Sequence, residues 1–199
     1  LSSSWRERWR PPEALRDAEG VEVVDRRWPV RLLRWSWPRL GWPPMEWLTG
    51  AADVAHSPSP LLLPARRARR VVTVHDLYAL RHPEQARGEM RTAYPRFAAA
   101  HARAADAVLT PSEAAAREAR DLLGVDPDRL VVCGEDAAAD FDRAPTGAEL
   151  EASRAVVSGE FVLFVGTVEP RKNTAALLEA FAAVHRLRPD LELVLAGPR

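Results

Sequence analysis

The sequence predicts an α/β protein built on parallel sheets, and three observations predict it. Short runs of Val and Leu recur without the alternation of a half-exposed strand, which is how strands read when both faces are covered. Segments of helical periodicity separate the later runs, and strand–helix–strand at this spacing means βαβ units. After a polar, Ala-rich stretch the pattern starts again, so 199 residues are expected to hold two domains.

Five runs come first: residues 21–25 ("VEVVD"), 53–56 ("DVAH"), 70–75 ("RVVTVH"), 106–110 ("DAVLT") and 129–133 ("RLVVC"). Residues 88–105 read as a helix, with Pro95 as a kink or a start. "TPSEAAAREARDLLG" is the clearest helix. Thr110 can cap it, with Pro111 in the first turn and Glu113 completing a capping box; Gly124 closes it. Ser112 is the alternative cap, and the sequence does not choose between them. Residues 133–159 read as a linker with a helix over 149–157. Residues 161–166 ("FVLFVG") read as a buried strand. "NTAALLEAFAAVHRLRP" reads as a helix with Leu177, Leu178, Phe181 and Val184 on one face, and 191–197 as a second strand. Two strands and one helix fall short of a domain. The expected division is therefore residues 1–145 and a truncated 146–199.

Composition narrows the function. At 47% hydrophobic a packed core is expected. Charges balance at +0, so no global field argues for nucleic acid. The single cysteine, Cys133, excludes an internal disulfide and fits a reducing, cytosolic setting. No stretch nears the ~20 apolar residues of a membrane span, and the start lacks the apolar core of a signal peptide. Ala, Arg and Pro are abundant and isoleucine is absent, a bias that carries no mechanism.

The chain has 28 basic residues, of which one is lysine, Lys172; its one asparagine, Asn173, is the next residue. Both lie in "GTVEPRKN", residues 166–173, where a strand is expected to end and a helix to begin. Ligands of open α/β sheets bind at such places, and a helix N-terminus attracts anions. Arg171 offers a planar fork and Lys172 a point charge to phosphate oxygens. Asn173 is a natural N-cap. A diphosphate site and a solvated loop with two surface cations both remain open on these residues alone.

Taken together, "FVLFVGTVEPRKNTAALLEAFAAV" with "LELVLAGP" resembles the nucleotide-binding half of GT-B glycosyltransferases of family 4. "VVTVHDLYALRHPE", "ADAVLTPSEAAAREARDLLGV" and "DRLVVCGE" resemble the acceptor half, especially of bacterial mannosyltransferase-like members. The motifs run in family order over roughly residues 50–199.

The resemblance implies a GT-B fold of two Rossmann-like domains facing a cleft. It implies hexosyl transfer from a nucleotide-sugar to a glycan or lipid-linked acceptor, as in building cell-envelope polysaccharide. Retention at the anomeric carbon, with no metal and no other cofactor, goes with it. By resemblance Arg171 and Lys172 bind the donor diphosphate and stabilise the leaving group. Gly166, Thr167 and Glu169 complete the donor loop. His75 faces the donor sugar or the acceptor and is catalytic with Arg171 and Lys172, while Asp76 and His56 lie on the acceptor side. Three features depart from the family: Thr167 stands where many members carry arginine, the first strand and glycine-rich loop near the N-terminus are missing, and a glutamate pair spaced seven residues apart would lie beyond Arg199. The chain is thus expected to be incomplete at both ends and inactive by itself. A non-catalytic remnant or binding module, and another GT-B sugar enzyme such as an epimerase or phosphorylase, stay open as alternatives.

All seven tryptophans precede residue 48. Trp with Arg suits a membrane interface, but the prolines forbid one long amphipathic helix, so packing against the domain is favoured. The location expected is cytoplasmic, or peripheral on the inner face of the membrane. "ARRARR", residues 65–70, reads as a solvated loop before the next strand, with phosphate contact as the alternative. His75 and His82 lack a third ligand, which argues against zinc. No G-x-S-x-G, G-x-G-x-x-G or G-x-x-x-x-G-K-[ST] occurs, against a serine-hydrolase elbow, a nicotinamide site or a P-loop. For His56 a structural role weighs as much as acceptor contact.

Overall fold

A computed structural model describes residues 19–24, 29–86, 88–137, 141–157 and 159–197. The chain divides into two compact units, Leu1–Glu135 and Asp136–Arg199.

The first unit holds six α-helices among its described residues: α1 (Val30–Leu40), α2 (Glu46–Thr49), α3 (Tyr78–Arg81), α4 (Gly88–Thr92), α5 (Tyr94–Ala104) and α6 (Glu113–Leu123). Its sheet is formed by β1 (Val54–Ser57), β2 (Arg69–Thr73), β3 (Ala107–Thr110) and β4 (Leu130–Val132), in the order β1-β2-β3-β4 and parallel throughout. Spatial order equals chain order, so every crossover steps the same way. Because such crossovers are right-handed, steps in one direction put their helices on one face. The core shows this: Val72, Val74 and Val108 of the sheet pack with Ala98 and Ala102 of α5 and with Ala119 and Leu123 of α6. Alanine at the contact positions lets both helices lie close to the branched side chains beneath them.

Local chemistry sets the ends. Pro95 stands in the first turn of α5, where its missing N–H has no intrahelical partner to lose; it starts a helix rather than kinking one. Ser112 caps α6, its Oγ accepting the Ala115 N–H at 3.2 Å. Thr110 instead ends β3 with its hydroxyl buried. With Ser112 as cap, position N3 is Ala115, so Glu113 completes no capping box. Gly124 closes α6 at φ 67°, in left-handed backbone, which a residue without Cβ adopts at no steric penalty.

The strand expected over residues 21–25 does not form in its described part. Residues 21–24 have no ladder, and Asp25 lies outside the described residues. Val21 and Val23 are exposed, so the burial that would drive pairing is missing.

The Trp-rich segment divides its aromatics. Leu33 and Ser36 of α1 are buried, and Trp37 Nε1 donates to the Pro43 carbonyl at 3.0 Å. Trp35 and Trp47 are 51% and 56% exposed, with the Arg39 and Arg66 guanidiniums over their rings. Residues 65–70 are not simply a solvated loop. Glu46 Oε1 accepts the N–H groups of Arg66 at 2.8 Å, Arg67 at 2.9 Å and Ala68 at 3.4 Å. Burial opposes ionisation of Glu46, but these N–H groups outweigh it and hold the carboxyl at about 2. The carboxylate ties α2 to the start of β2, beside the small cluster of Met45, Ala55 and Ala68.

The second unit has α7 (Gly147–Val156), β5 (Phe161–Val165), a 3-10 turn (Pro170–Lys172), α8 (Thr174–Leu187) and β6 (Glu192–Ala196). Thr146 and Glu149 form a reciprocal capping box on α7. β5 and β6 pair in parallel from Phe161↔Glu192 to Val165↔Ala196. Contrary to expectation β5 is not buried: Phe161, Leu163 and Val165 are 48%, 53% and 71% exposed. On α8, Leu177 and Phe181 are half-buried while Leu178 and Val184 are exposed. Two strands with α8 as the one helix between them do not enclose both faces of a sheet.

Candidate functional site

The C-terminal edge of the four-stranded sheet collects one group of predicted residues. Val74 N–H donates to the Leu109 carbonyl at 2.8 Å, carrying the ladder past β2 and delivering His75 to the strand tip. Cys133 N–H donates to the Thr110 carbonyl at 2.8 Å and does the same for β4. Both bonds land on the central strand β3. The two extensions bring His75 Nδ1 within 2.7 Å of Glu135 Oε1. Glu135 was not singled out by the sequence; the only signal was its place two residues past an apolar run.

Asp76 is engaged locally, its Oδ1 accepting the Tyr78 N–H at 3.0 Å where α3 begins. His56 does not end its strand. It is the third residue of β1 and reaches across to β2, with Nε2 2.8 Å from Thr73 Oγ1. Alternation along β2 puts Thr73 and His75 on the face away from the α5–α6 core, so His56, Thr73 and His75 share that face. Among the described residues no three His, Cys, Asp or Glu side chains gather as a metal-ion site.

The other group lies within the second unit, in residues 166–173. Gly166 leaves β5 at φ 156°, its N–H donating to Ala196 at 2.8 Å. The tip of β6 presses against it: a Cβ on Gly197 would collide with the Gly166 carbonyl. Instead of running straight into a helix, the loop makes the 3-10 turn first. Asn173 then takes left-handed backbone, φ 49°, to redirect the chain into α8. Asparagine tolerates that conformation better than most residues. It holds the cap position, but its side chain caps nothing. Among the described residues the first-turn N–H groups of α8 have no side-chain acceptor, and the buried Thr174 hydroxyl beside them has no partner.

The two cations differ. Arg171 Nε is 2.7 Å from Glu169 Oε1, so its charge is offset within the loop. Lys172 is exposed, makes no ion pair among the described residues, and folds back so that its Cε lies 4.0 Å from where a Gly166 Cβ would stand. Thr167 is exposed beside them. The loop therefore combines one uncommitted ammonium, one tethered guanidinium and an open helix N-terminus, a set suited to an oxyanion.

A mixed α/β architecture on a parallel sheet, with polar side chains at the carboxyl edge of its strands, is that of a Rossmann-like domain. Residues 6–134 match the family model described as Glycosyltransferase Family 4, more than half of the chain, and the protein belongs to that family. The match covers the sheet that carries His56, His75 and Asp76. No curated protein matches the sequence. No helix among the described residues is long and apolar enough to cross a membrane.

Proposed function

We propose that the protein moves a hexose from a nucleotide-sugar to a glycan or lipid-linked acceptor, with retention at the anomeric carbon and without a metal ion. Family membership supports sugar transfer in general. The observation that carries the donor assignment is Lys172: the one lysine of the chain has no ion-pair partner among the described residues and folds over the tip of β5, at the N-terminus of α8. A compact ammonium there stabilises charge as it grows on a departing diphosphate. Thr167 adds a hydroxyl donor, and Glu169 holds Arg171 at the rim. His75 serves the sugar or acceptor, with His56 and Asp76 on the acceptor side. The exposed Trp35, Trp42 and Trp47, with Arg39 and Arg66, suit an acceptor presented at a membrane surface on the cytoplasmic side.

The test is Lys172→Ala in a form of the protein that transfers sugar, assayed for nucleotide-sugar turnover and for nucleoside-diphosphate binding by calorimetry. Losing one such donor lowers turnover by about 10²–10³, with an unchanged circular dichroism spectrum. Near-normal turnover would remove Lys172 from the mechanism. The binding-module reading is favoured by one observation, the neutralisation of Arg171 by Glu169; it predicts nucleotide binding with no transfer to any acceptor.

A further inference from the structure

We infer that Glu135 is a positioning residue: it holds the imidazole of His75 in one tautomer and one orientation, and so decides which ring nitrogen faces substrate. The inference rests on the reading of His75 as a residue that meets the sugar or acceptor.

The pair is set by backbone, not by chance meeting of long side chains. β3 accepts the last ladder bond from each neighbour, at Leu109 for the segment leading to His75 and at Thr110 for the segment leading to Glu135. Both segments then run on past the tip of β3, and the two side chains close over it at 2.7 Å. Such a pair adds little to stability. The side chains are 51% and 61% exposed, and solvent screens an ion pair held there. What it fixes is the ring. A carboxylate only accepts, so Nδ1 must carry the hydrogen. Nε2 is then the free nitrogen: it accepts from a sugar hydroxyl when the ring is neutral and donates to an oxyanion when the ring is charged. The neighbours make other contacts: Asp76 accepts the Tyr78 N–H and His56 meets the Thr73 hydroxyl.

Ring nitrogen–proton correlation spectra of the whole chain test this directly. The five histidines are assigned by comparison with His75→Gln. In the native protein the neutral ring of His75 is expected with its hydrogen on Nδ1. In Glu135→Ala it moves to Nε2, the ordinary preference of a free imidazole. Glu135→Gln keeps an accepting oxygen and restores the native tautomer. In turnover assays Glu135→Ala lowers kcat about 10²-fold, the low end of what a positioned acid or base contributes. The KM for the nucleotide-sugar stays near native, and Glu135→Gln recovers much of the loss. An unchanged His75 tautomer in Glu135→Ala overturns the inference. So does native kcat in Glu135→Ala when His75→Ala is inactive. If His75→Ala itself keeps native turnover, the catalytic reading of His75 falls, while the spectra still decide whether Glu135 sets the ring.

Discussion

Replacing Glu46 by glutamine isolates the charge that the backbone of residues 66–68 encloses. Glutamine keeps a carbonyl oxygen that can accept the Arg66 and Arg67 N–H groups, so the packing of α2 on the start of β2 survives and the charge assistance is lost. The native carboxyl is held at about 2, against 4.5 for a free glutamate. At 1.36 kcal/mol per pKa unit this would be about 3 kcal/mol for a fully dry group. Two of the three bonds lie at exposed N–H groups, and solvent screening reduces the figure to about 1–2 kcal/mol. Counting bonds gives the same range, since a hydrogen bond to a charged acceptor exceeds a neutral one by about 1 kcal/mol and two of these are short. For a unit of this size the expected loss in Tm is about 3–8 °C at pH 7. The sign with pH is fixed. The folded pKa is depressed, so the native advantage is complete above about 4.5 and disappears as pH falls toward 2. Urea unfolding followed by tryptophan fluorescence reads it cleanly, because all seven tryptophans lie in the first unit. Equal midpoints for native and Glu46→Gln protein at pH 7, or a difference that persists unchanged down to pH 2, would refute the account.

Two further expectations concern the candidate sites. His75→Ala should depress sugar transfer far more than nucleoside-diphosphate affinity, since the diphosphate is assigned to the loop at residues 166–173; calorimetry showing a large loss of nucleotide affinity would contradict the assignment. Gly197→Ala should destabilise the β5–β6 pair by about 1–3 kcal/mol, because it combines a glycine-favouring φ of 151° with a collision against the Gly166 carbonyl. Hydrogen exchange at the Gly166 amide reports it, and unchanged protection there would show that the tip has room to relax.

Much of the sheet was legible because its signal is local. β1 to β4 and β5 to β6 fall on short apolar runs, within a residue or two of the expected ends, and α6 announces itself by its caps, whereas the Thr146–Glu149 box that starts α7 was not read. Residues 21–25 read the same way, yet residues 21–24 form no strand. A short apolar run does not state whether a neighbour will pair with it. Residues 161–165 pair as a strand yet stay open for a related reason: apolarity reports what a strand can bury, not what is there to cover it. The loop was found from the rarity of Lys172 and Asn173, but its shape was not. The 3-10 turn that begins at Pro170 and ends in left-handed Asn173 is a matter of backbone geometry, and composition is silent on that. The Glu135–His75 and Glu169–Arg171 pairs were invisible for opposite reasons. The first joins residues sixty positions apart through two strand registers. The second lies two residues apart, but whether Arg171 turns toward Glu169 or outward is a rotamer choice.

The strand order of the first unit has a consequence for how the sheet is made. Each strand pairs with the one synthesised just before it, so a nascent chain needs no later segment to complete an earlier pairing. At about 5–20 residues per second on the ribosome, β3 emerges a few seconds after β2 and finds its template waiting. A waiting template is also an open edge, on which another nascent chain could pair. On the growing side the order leaves one edge open at a time, which the next strand covers. Among the described residues the last strand laid down, β4, is three residues long against four or five for the others, so the edge that remains on that side offers the fewest groups for a stray chain to join.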